Sequence, residues 1–185
     1  MAAQRALVSP RDYLQLERAA QVRHEYVSGI VCQMAGASRN QLELQSALAT
    51  EIGAALKGRP CRLLGQDTKV WIDKTNVYFY PDATIACPPN FVDDANGVID
   101  NPTVIFEVLS TGTATFDRSA KFADYRSLSS LRDYVLIDSE RRVVEVFSLE
   151  DGEWLVRSYE SGSMRIPSVN VDVDLDELYR HVVLK

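Results

Sequence analysis

Two acidic residues stand where the sequence otherwise predicts buried β-structure. Asp82 comes directly after Pro81 at the end of an apolar run, and Glu107 interrupts the next run between Phe106 and Val108. A carboxylate inside a buried strand is costly unless it is hydrogen-bonded, paired or bound to a cation. Carboxylate oxygens are ligands for hard divalent cations, and two of them on neighbouring strands can hold one ion. Asp82 and Glu107 are therefore candidate metal ligands.

Two further charged residues, Lys121 and Glu25, have simple structural explanations when each is taken alone. Lys121 lies four residues after Asp117, which is the spacing of an exposed helical ion pair. Glu25 precedes a predicted hairpin turn and can be a solvated acid at a strand edge. Together with Asp82 and Glu107, however, they complete a set in which carboxylates bind a cation and an ammonium stabilises charge on a phosphate. Such a set can form a hydrolytic centre.

Length and composition limit the class of protein. The 185 residues, of which 46% are hydrophobic and 25% charged, are typical of a soluble globular protein with a substantial core. We expect one domain over residues 1–185. No run approaches the roughly 18 consecutive apolar residues of a membrane span, and residues 1–10 lack the apolar core of a secretory signal. These features predict a cytoplasmic protein that makes no membrane contact.

The acidic charge balance restricts how a nucleic acid could bind. The formal net charge of −6 argues against a surface broadly adapted to polyanions, because phosphate binding depends on Lys and Arg displacing counterions. A nucleic-acid site would have to be locally basic. The candidate basic clusters lie at residues 59–62, 118–121 and 141–142.

The three cysteines follow no recognisable framework. Cys32, Cys61 and Cys87 have neither a CxxC spacing nor the Cys/His spacing of a zinc site. We expect all three to be reduced, small core residues.

Hydrophobic spacing predicts the elements of the N-terminal part. Ser9 caps a short helix that has Pro10 at its first position and ends near Ala20. A hairpin follows at residues 24–34, around the turn at 28–29. The most regular helix is expected from Asn40 to Lys57. The apolar face of the first helix comprises Tyr13, Leu14, Leu16 and Ala20, and that of the second comprises Leu44, Leu48, Ile52 and Leu56, widened by Leu42 and Ala49.

The rest of the chain is rich in predicted strands. Runs at 62–64, 69–72, 77–80 and 83–86 are expected to form a meander, 88–102 a surface loop and 103–109 a strand. A helix is expected from Asp117, as its cap, to about Leu128, with Phe122, Tyr125 and Leu128 facing inward. Strands follow at 134–137, 143–147 and 154–159, the last two joined by a hairpin turn at 150–152. Because the helices do not alternate regularly with the strands, we expect an α/β (α+β) fold with a mixed sheet flanked by helices.

Several short segments occur in an order that is typical of one known family. They are residues 23–29, 34–38, 80–82, 106–110, 117–118 with Lys121, 125–126, 131–138 and 166–168. In this order the chain resembles the Uma2 family, a group of bacterial proteins classed with restriction endonucleases in the PD-(D/E)xK nuclease superfamily. No segment is decisive alone, but the order is quite specific and the resemblance covers nearly the whole chain.

The resemblance implies a restriction-endonuclease-like core and hydrolysis of DNA phosphodiester bonds with Mg²⁺ or Mn²⁺. Asp82 and Glu107 would bind the ion, with the backbone carbonyl of Val108 as a further oxygen ligand. The superfamily usually has lysine two residues after the second acid, where this chain has Leu109. Lys121 then looks like a lysine that has moved onto the following helix.

The resemblance also suggests roles for residues around these ligands. Glu25 would be an additional acid that binds metal directly or through water, completing a catalytic set with Asp82, Glu107 and Lys121. Family members often carry His where this chain has Gln41. Gln41 and Ser110 are expected to contact phosphate or a metal-bound water. Double-strand cleavage needs two active sites, which favours a homodimer.

Two other functions stay open. The acidic charge, Leu109 and Gln41 also suit a catalytically weak or inactive nuclease-fold module for binding or assembly. A hydrolase for another phosphorylated substrate is the second alternative, because a metal and two acids can hydrolyse many phosphoesters. Nucleophilic catalysis is disfavoured, since His24 and His181 have no motif partner.

Overall fold

The computed structural model describes residues 7–110, 112 and 114–185, in which strands outnumber helices. The third helix has an α-helical start (Ala114–Phe116), a π-helical turn (Asp117–Lys121) and an α-helical end (Phe122–Tyr125). We treat these three pieces as one helix over residues 114–125. The helices are α1 (Pro10–Ala19), α2 (Arg39–Ala55), α3 (114–125) and α4 (Leu175–Leu178).

The strands form two mixed sheets and a separate two-stranded ribbon. Within both sheets most neighbouring strands are antiparallel, but β4 pairs with β8 and β9 pairs with β10 in parallel. The first sheet has the order β2-β1-β5-β4-β8-β7, the second has the order β12-β11-β10-β9-β6-β3, and β13 pairs with β14. The strands are β1 (His24–Val27), β2 (Ile30–Gln33), β3 (Arg62–Gly65), β4 (Lys69–Ile72), β5 (Val77–Phe79), β6 (Ala83–Ala86), β7 (Phe91–Asp93), β8 (Val98–Ile99), β9 (Val104–Leu109), β10 (Asp133–Asp138), β11 (Val144–Glu150), β12 (Glu153–Tyr159), β13 (Ser163–Ile166) and β14 (Val171–Asp174).

The second sheet lies at the centre of the molecule and is covered on both faces. Alternate residues of β9 show this: Phe106 packs in the cluster built with α2, whereas Ile105 packs in the cluster built with the first sheet and α3. The outer face of the first sheet is covered by α1 through Tyr13, which contacts Tyr26 and Tyr78. The expected mixed α/β fold is therefore confirmed.

The helix signals in the N-terminal part predict the ends of α1 and α2 well but overestimate their buried faces. Ser9 caps α1 by accepting a hydrogen bond from the amide of Asp12, and Pro10 is its first residue. Leu44, Leu48 and Ile52 of α2 are fully buried. Four residues that were assigned to the apolar faces are exposed instead, namely Leu16, Ala20, Leu42 and Ala49. Each helix contacts the core along a narrower stripe than the spacing of its apolar residues predicts.

The expected meander at residues 62–86 is wrong. β4 pairs with β5 in the first sheet, whereas β3 pairs with β6 in the second sheet. The chain passes from one sheet to the other at Pro81, which has no N–H to continue a strand ladder. This crossing places Asp82 between the two sheets.

Two other expected elements differ in extent. The expected surface loop at 88–102 contains the short strands β7 and β8. α3 begins before Asp117, so this residue is not a cap, and its side chain is buried inside the helix packing. The inward orientation of Phe122 and Tyr125 is confirmed, and Leu128 lies half-buried beyond the helix end.

The expectation that all cysteines are reduced core residues is also wrong. Cys61 and Cys87 form a disulfide with their Cα atoms 4.0 Å apart. They flank the paired residues Arg62 and Ala86, so the β3–β6 pairing places them opposite each other. Cys32 is free and exposed on β2. Within the described residues, no helix is long and apolar enough to cross a membrane.

The contrast between Leu48 and Leu42 on α2 gives a test of the fold. Leu48 is 0% exposed and Leu42 is 52% exposed. Leu48→Ala should lower the free energy of unfolding by about 2–5 kcal/mol, because it removes buried methyl groups and leaves a cavity. The control Leu42→Ala should change it by less than about 0.5 kcal/mol. Urea denaturation measures both, and equal effects would contradict this assignment of the core.

Candidate active site

A cleft of about 760 Å³ is lined by residues from β1, α2, β9 and α3. Every side chain or carbonyl that the sequence suggested for the site lies along it. These residues are Glu25, Gln41, Asp82, Glu107, Val108, Ser110 and Lys121. They come from segments nearly one hundred positions apart in the chain, so the fold brings them together.

Lys121 is buried at the centre of a group of acids. Its Nζ lies 3.0 Å from Glu25 Oε1, 2.9 Å from Glu107 Oε1 and 3.8 Å from Asp117 Oδ1. The residue is only 4% exposed, so the simple interpretation as a surface ion pair with Asp117 is wrong. Burial alone would lower the pKa of Lys121, but Glu107, Glu25 and Asp117 outweigh burial and raise it. Lys121 is therefore an ammonium at neutral pH.

The π-helical turn of α3 presents Asp117 and Lys121 to this centre. Both residues are buried, and the hydroxyl of Tyr134 donates to the backbone oxygen of Asp117 at 2.9 Å. Phe79 of the first sheet lies beneath the ammonium, with its ring centre 5.4 Å from Lys121 Nζ. Single π-helical turns occur frequently at functional sites. Here the turn lets one helix supply both a cation and an acid.

Glu107 projects from β9 on the face that packs against the first sheet. Ile105 and Leu109 lie on the same face, because alternate strand residues point the same way. The hydroxyl of Tyr125 donates to Glu107 Oε1 at 3.2 Å. Burial raises the pKa of Glu107 well above its usual value, although Lys121 opposes this rise. Leu109 lies two residues after Glu107, and the positive charge beside Glu107 comes from Lys121 on α3.

Asp82 is held by two protein donors. Gln45 Nε2 donates to Asp82 Oδ1 at 2.6 Å, and the backbone amide of Val108 donates to Oδ2 at 2.6 Å. Burial raises the pKa of Asp82, and the Val108 amide, Lys121 and Gln45 lower it in part. The two hydrogen bonds fix the orientation of the carboxylate relative to β9.

Gln41 contacts the protein at both ends of its amide. Its Nε2 donates to the carbonyl of Val108 at 3.3 Å, and its Oε1 accepts from the amide of Ser38 at 2.9 Å. The second contact belongs to the capping box that starts α2. Ser110 lies at the end of β9 beside the cleft. Contacts of Gln41 and Ser110 with phosphate or water stay predictions.

Sequence reasoning missed three residues that complete the site. Gln45 orients Asp82, Asp117 is a further acid beside Lys121, and Tyr125 donates to Glu107. For Gln45 a signal was available, because this residue lies one helical turn after Gln41 and so on the same helix face. Asp117 was recognised only as a helix cap and as a surface ion-pair partner of Lys121, not as an acid of the site. The contact of Tyr125 with Glu107 depends on how α3 packs on the second sheet.

The donor atoms suit a hard divalent cation. Asp82, Glu107 and the Val108 carbonyl all offer oxygen, and Mg²⁺ typically binds one or two carboxylates while it keeps several waters. Four acids line the cleft around the ammonium of Lys121, and a bound cation would balance the charge of those that are ionised. Among the described residues, no three His, Cys, Asp or Glu side chains are arranged as a metal-binding group. Two carboxylates and one carbonyl would leave the other coordination positions of a Mg²⁺ ion to water or substrate oxygens.

The fold is shared with a protein of known structure. It matches the crystal structure of a protein described as "a putative nuclease belonging to DUF820" from Anabaena variabilis, with a TM-score of 0.73. The match covers 94% of this chain and 98% of that chain at 18% sequence identity, so it shows a shared fold.

The particular family follows from the sequence. The Uma2 family, described as "Putative restriction endonuclease", matches residues 10–175, and the chain belongs to this family. Two similar proteins occur in Synechocystis sp. "Uncharacterized protein slr1290" is 31% identical over 94% of this chain and 92% of its own length. "Uncharacterized protein sll1609" is 35% identical over 81% of this chain and 86% of its own length.

The raised pKa of Glu107 predicts a pH-dependent stability. Above the usual glutamate pKa of about 4.3, the folded state binds more protons than the unfolded state, so stability falls as pH rises. Glu107→Gln removes this cost, while Glu25 and Asp117 still balance Lys121. The variant should be more stable than the wild type in urea denaturation with EDTA, by about 0.5–2 kcal/mol at pH 8 and by less at pH 5.

The control for this measurement is Glu160→Gln, at an exposed position outside the cleft. It should change stability by less than about 0.5 kcal/mol at either pH. A Glu107→Gln variant that is less stable than the wild type at pH 8 would show that Glu107 is needed as a charged partner of Lys121.

Proposed function

We propose that this protein is a Mg²⁺- or Mn²⁺-dependent endonuclease that hydrolyses phosphodiester bonds in DNA. The observation that carries the proposal is the buried ammonium of Lys121, held between Glu25 and Glu107 in the cleft that also contains Asp82. Membership of the Uma2 family and the nuclease-like fold support it. A DNA substrate would be available in the cytoplasm, where we propose that the protein acts.

Asp82, Glu107 and the carbonyl of Val108 are the groups that would hold the ion. When bound, the ion polarises a phosphoryl oxygen and lowers the pKa of a coordinated water. Gln45 and the Val108 amide orient Asp82 before substrate arrives. Gln41 orients the Val108 carbonyl by donating to its oxygen, which as a carbonyl oxygen has two lone pairs. These contacts reduce the reorganisation that binding would otherwise require.

Lys121 supplies fixed positive charge to the reaction. Its raised pKa keeps the proton on Nζ, so it acts as an ammonium that stabilises charge developing on the phosphate and does not remove a proton from water. Glu25 and Asp117 hold the ammonium in position. The amide of Tyr80 donates to Glu25 at 3.4 Å and fixes that acid in turn. Ser110 directly follows β9 and lines the cleft, and it is a candidate phosphate contact.

A second candidate function is a nuclease-fold module that binds or assembles without efficient cleavage. One observation favours it: Lys121 joins acids from both sheets, so this contact could be retained for stability alone. Calorimetric titration with Mn²⁺ separates the two functions. The endonuclease binds the ion in a manner that depends on Asp82, whereas the module need not bind it.

For double-strand cleavage we propose a homodimer with one site in each subunit.

Plasmid nicking tests the proposal directly. With Mn²⁺ or Mg²⁺ the wild type should convert supercoiled plasmid to the open circle, and Asp82→Ala should reduce the rate by more than about 100-fold, beyond the usual effect of an outer-shell residue. Asp94→Ala, at an exposed acid outside the cleft, is the control and should keep full activity. Equal nicking by the wild type and Asp82→Ala, with unchanged circular dichroism, would overturn the proposal.

Substitution of Lys121 tests the displaced lysine. Lys121→Ala should abolish nicking and lower the free energy of unfolding by about 3–5 kcal/mol, because it leaves buried carboxylates without their cation. Lys121→Arg keeps the charge but not the compact ammonium, so it should fold and nick more slowly. Lys74→Ala, at an exposed lysine, is the control. Full nicking by folded Lys121→Ala would exclude a catalytic role for Lys121.

A further inference from the structure

The cationic side chains around the cleft are already paired within the protein. Of the described residues that line the cleft, Arg23 and Lys121 are the cationic ones. Arg23 Nε lies 2.9 Å from Asp67 Oδ1, and its Nη1 donates to the backbone oxygen of Gln66 at 3.4 Å. Lys121 is surrounded by acids. The cleft therefore offers little uncommitted positive charge to a phosphate backbone.

The three basic clusters suggested by the sequence are also engaged in protein contacts. Members of each cluster bind an acid or a backbone oxygen. Arg59 donates to Val169, Arg118 pairs with Glu145, Arg141 with Asp138 and Arg142 with Asp176. A duplex carries about one charge per 1.7 Å, and proteins that grip it displace counterions with many Lys and Arg side chains. The paired members of these clusters would have to leave their protein contacts to supply that charge.

The rim of the cleft is apolar instead. Val22 before β1, Leu42 on α2 and Phe116 on α3 all line the cleft, and each is between 41% and 52% exposed. Met34 and Ala35, which follow β2, line it as well. Exposed apolar side chains grouped around a polar centre mark a binding surface. An aromatic ring among them can stack on a nucleic-acid base.

Neutral amides complete the lining. Gln21, Gln33 and Gln66 come from three different segments and lie along the same cleft. A glutamine side chain both donates and accepts hydrogen bonds, which matches the polar edges of the bases. In a duplex the base faces are stacked and the Watson–Crick edges are paired. In a single strand both are available to a protein.

We infer that the cleft takes single-stranded DNA, with an unpaired base stacked on Phe116 and the adjoining phosphate at Asp82 and Glu107. This inference rests on the proposed endonuclease function and names its substrate class. Asp82, Glu107 and their ion would then contact one phosphodiester bond, and the apolar side chains of the rim would contact the neighbouring bases. Affinity comes chiefly from base contacts, so it depends weakly on salt.

Fluorescence anisotropy tests the inference without cleavage. A labelled 12-nucleotide strand and the duplex of the same sequence are titrated with the wild-type protein in Ca²⁺, a cation for oxygen ligands, in place of Mg²⁺ or Mn²⁺. A gel checks that the strand stays intact, and EDTA gives the metal-free comparison. The strand should bind at least about tenfold more tightly than the duplex. In a plot of the logarithm of its binding constant against the logarithm of salt concentration, the slope should correspond to only about one or two phosphate contacts. Equal or tighter binding of the duplex would overturn the inference. Tighter binding of an RNA strand of the same sequence would overturn its assignment to DNA.

Substitution of Phe116 locates the contact. Phe116→Ala should weaken binding of the strand roughly tenfold, and Phe116→Trp should keep it, because stacking of an aromatic ring on a base is lost only in the first variant. Leu155→Ala on β12 is the matched control, since Leu155 is 41% exposed like Phe116 but lies outside the cleft. Unchanged binding by Phe116→Ala, or an altered oligomeric state in light scattering without altered binding, would overturn the inference.

A cleavage assay separates this inference from the proposed function. Circular single-stranded DNA and supercoiled plasmid are incubated with the wild type and Mn²⁺. Faster cleavage of the single-stranded circle supports both proposals. Faster cleavage of the plasmid supports the endonuclease and overturns the substrate inference. If neither DNA is cleaved, the endonuclease proposal is overturned, and the anisotropy measurement still decides whether the cleft binds a single strand.

Discussion

The contact of one buried ammonium with acids from two sheets organises this molecule. Glu25 belongs to the first sheet and Glu107 to the second, and Lys121 of α3 lies about 3 Å from both. An ammonium at this depth is stable only because the carboxylates accompany it, and the carboxylates are tolerable only because it is present. Through these contacts Lys121 links the two sheets to α3 at the base of the cleft.

Local features of the site could be predicted from the sequence. The acid at Glu107 interrupts a strand whose other residues are apolar, and Pro81 marks the end of the strand before Asp82. The four-residue spacing of Leu44, Leu48 and Ile52 predicts α2, because only residues on one helix face are buried. These signals depend on neighbours in the chain, which is why they are visible without the fold.

Features that depend on strand pairing could not be predicted in this way. Short strands of similar composition can pair in several orders, and nothing local assigns β3 to β6 instead of β4. The Cys61–Cys87 disulfide follows from that pairing. The burial of Lys121 likewise depends on the approach of both sheets, since its spacing from Asp117 also suits a solvated pair. The extent of the single domain stays a prediction.

The amide of Gln41 connects the start of α2 to the site. It accepts from Ser38 in the capping box and donates to Val108, whose own amide holds Asp82. Helix ends open more readily than helix interiors, and hydrogen exchange reports such local opening. When the first turn of α2 opens, the Val108 carbonyl loses its donor. Fraying of this helix end is therefore coupled to the orientation of Val108 and, through its amide, of Asp82, so anything that orders these two proposed ligands also favours the closed first turn of α2.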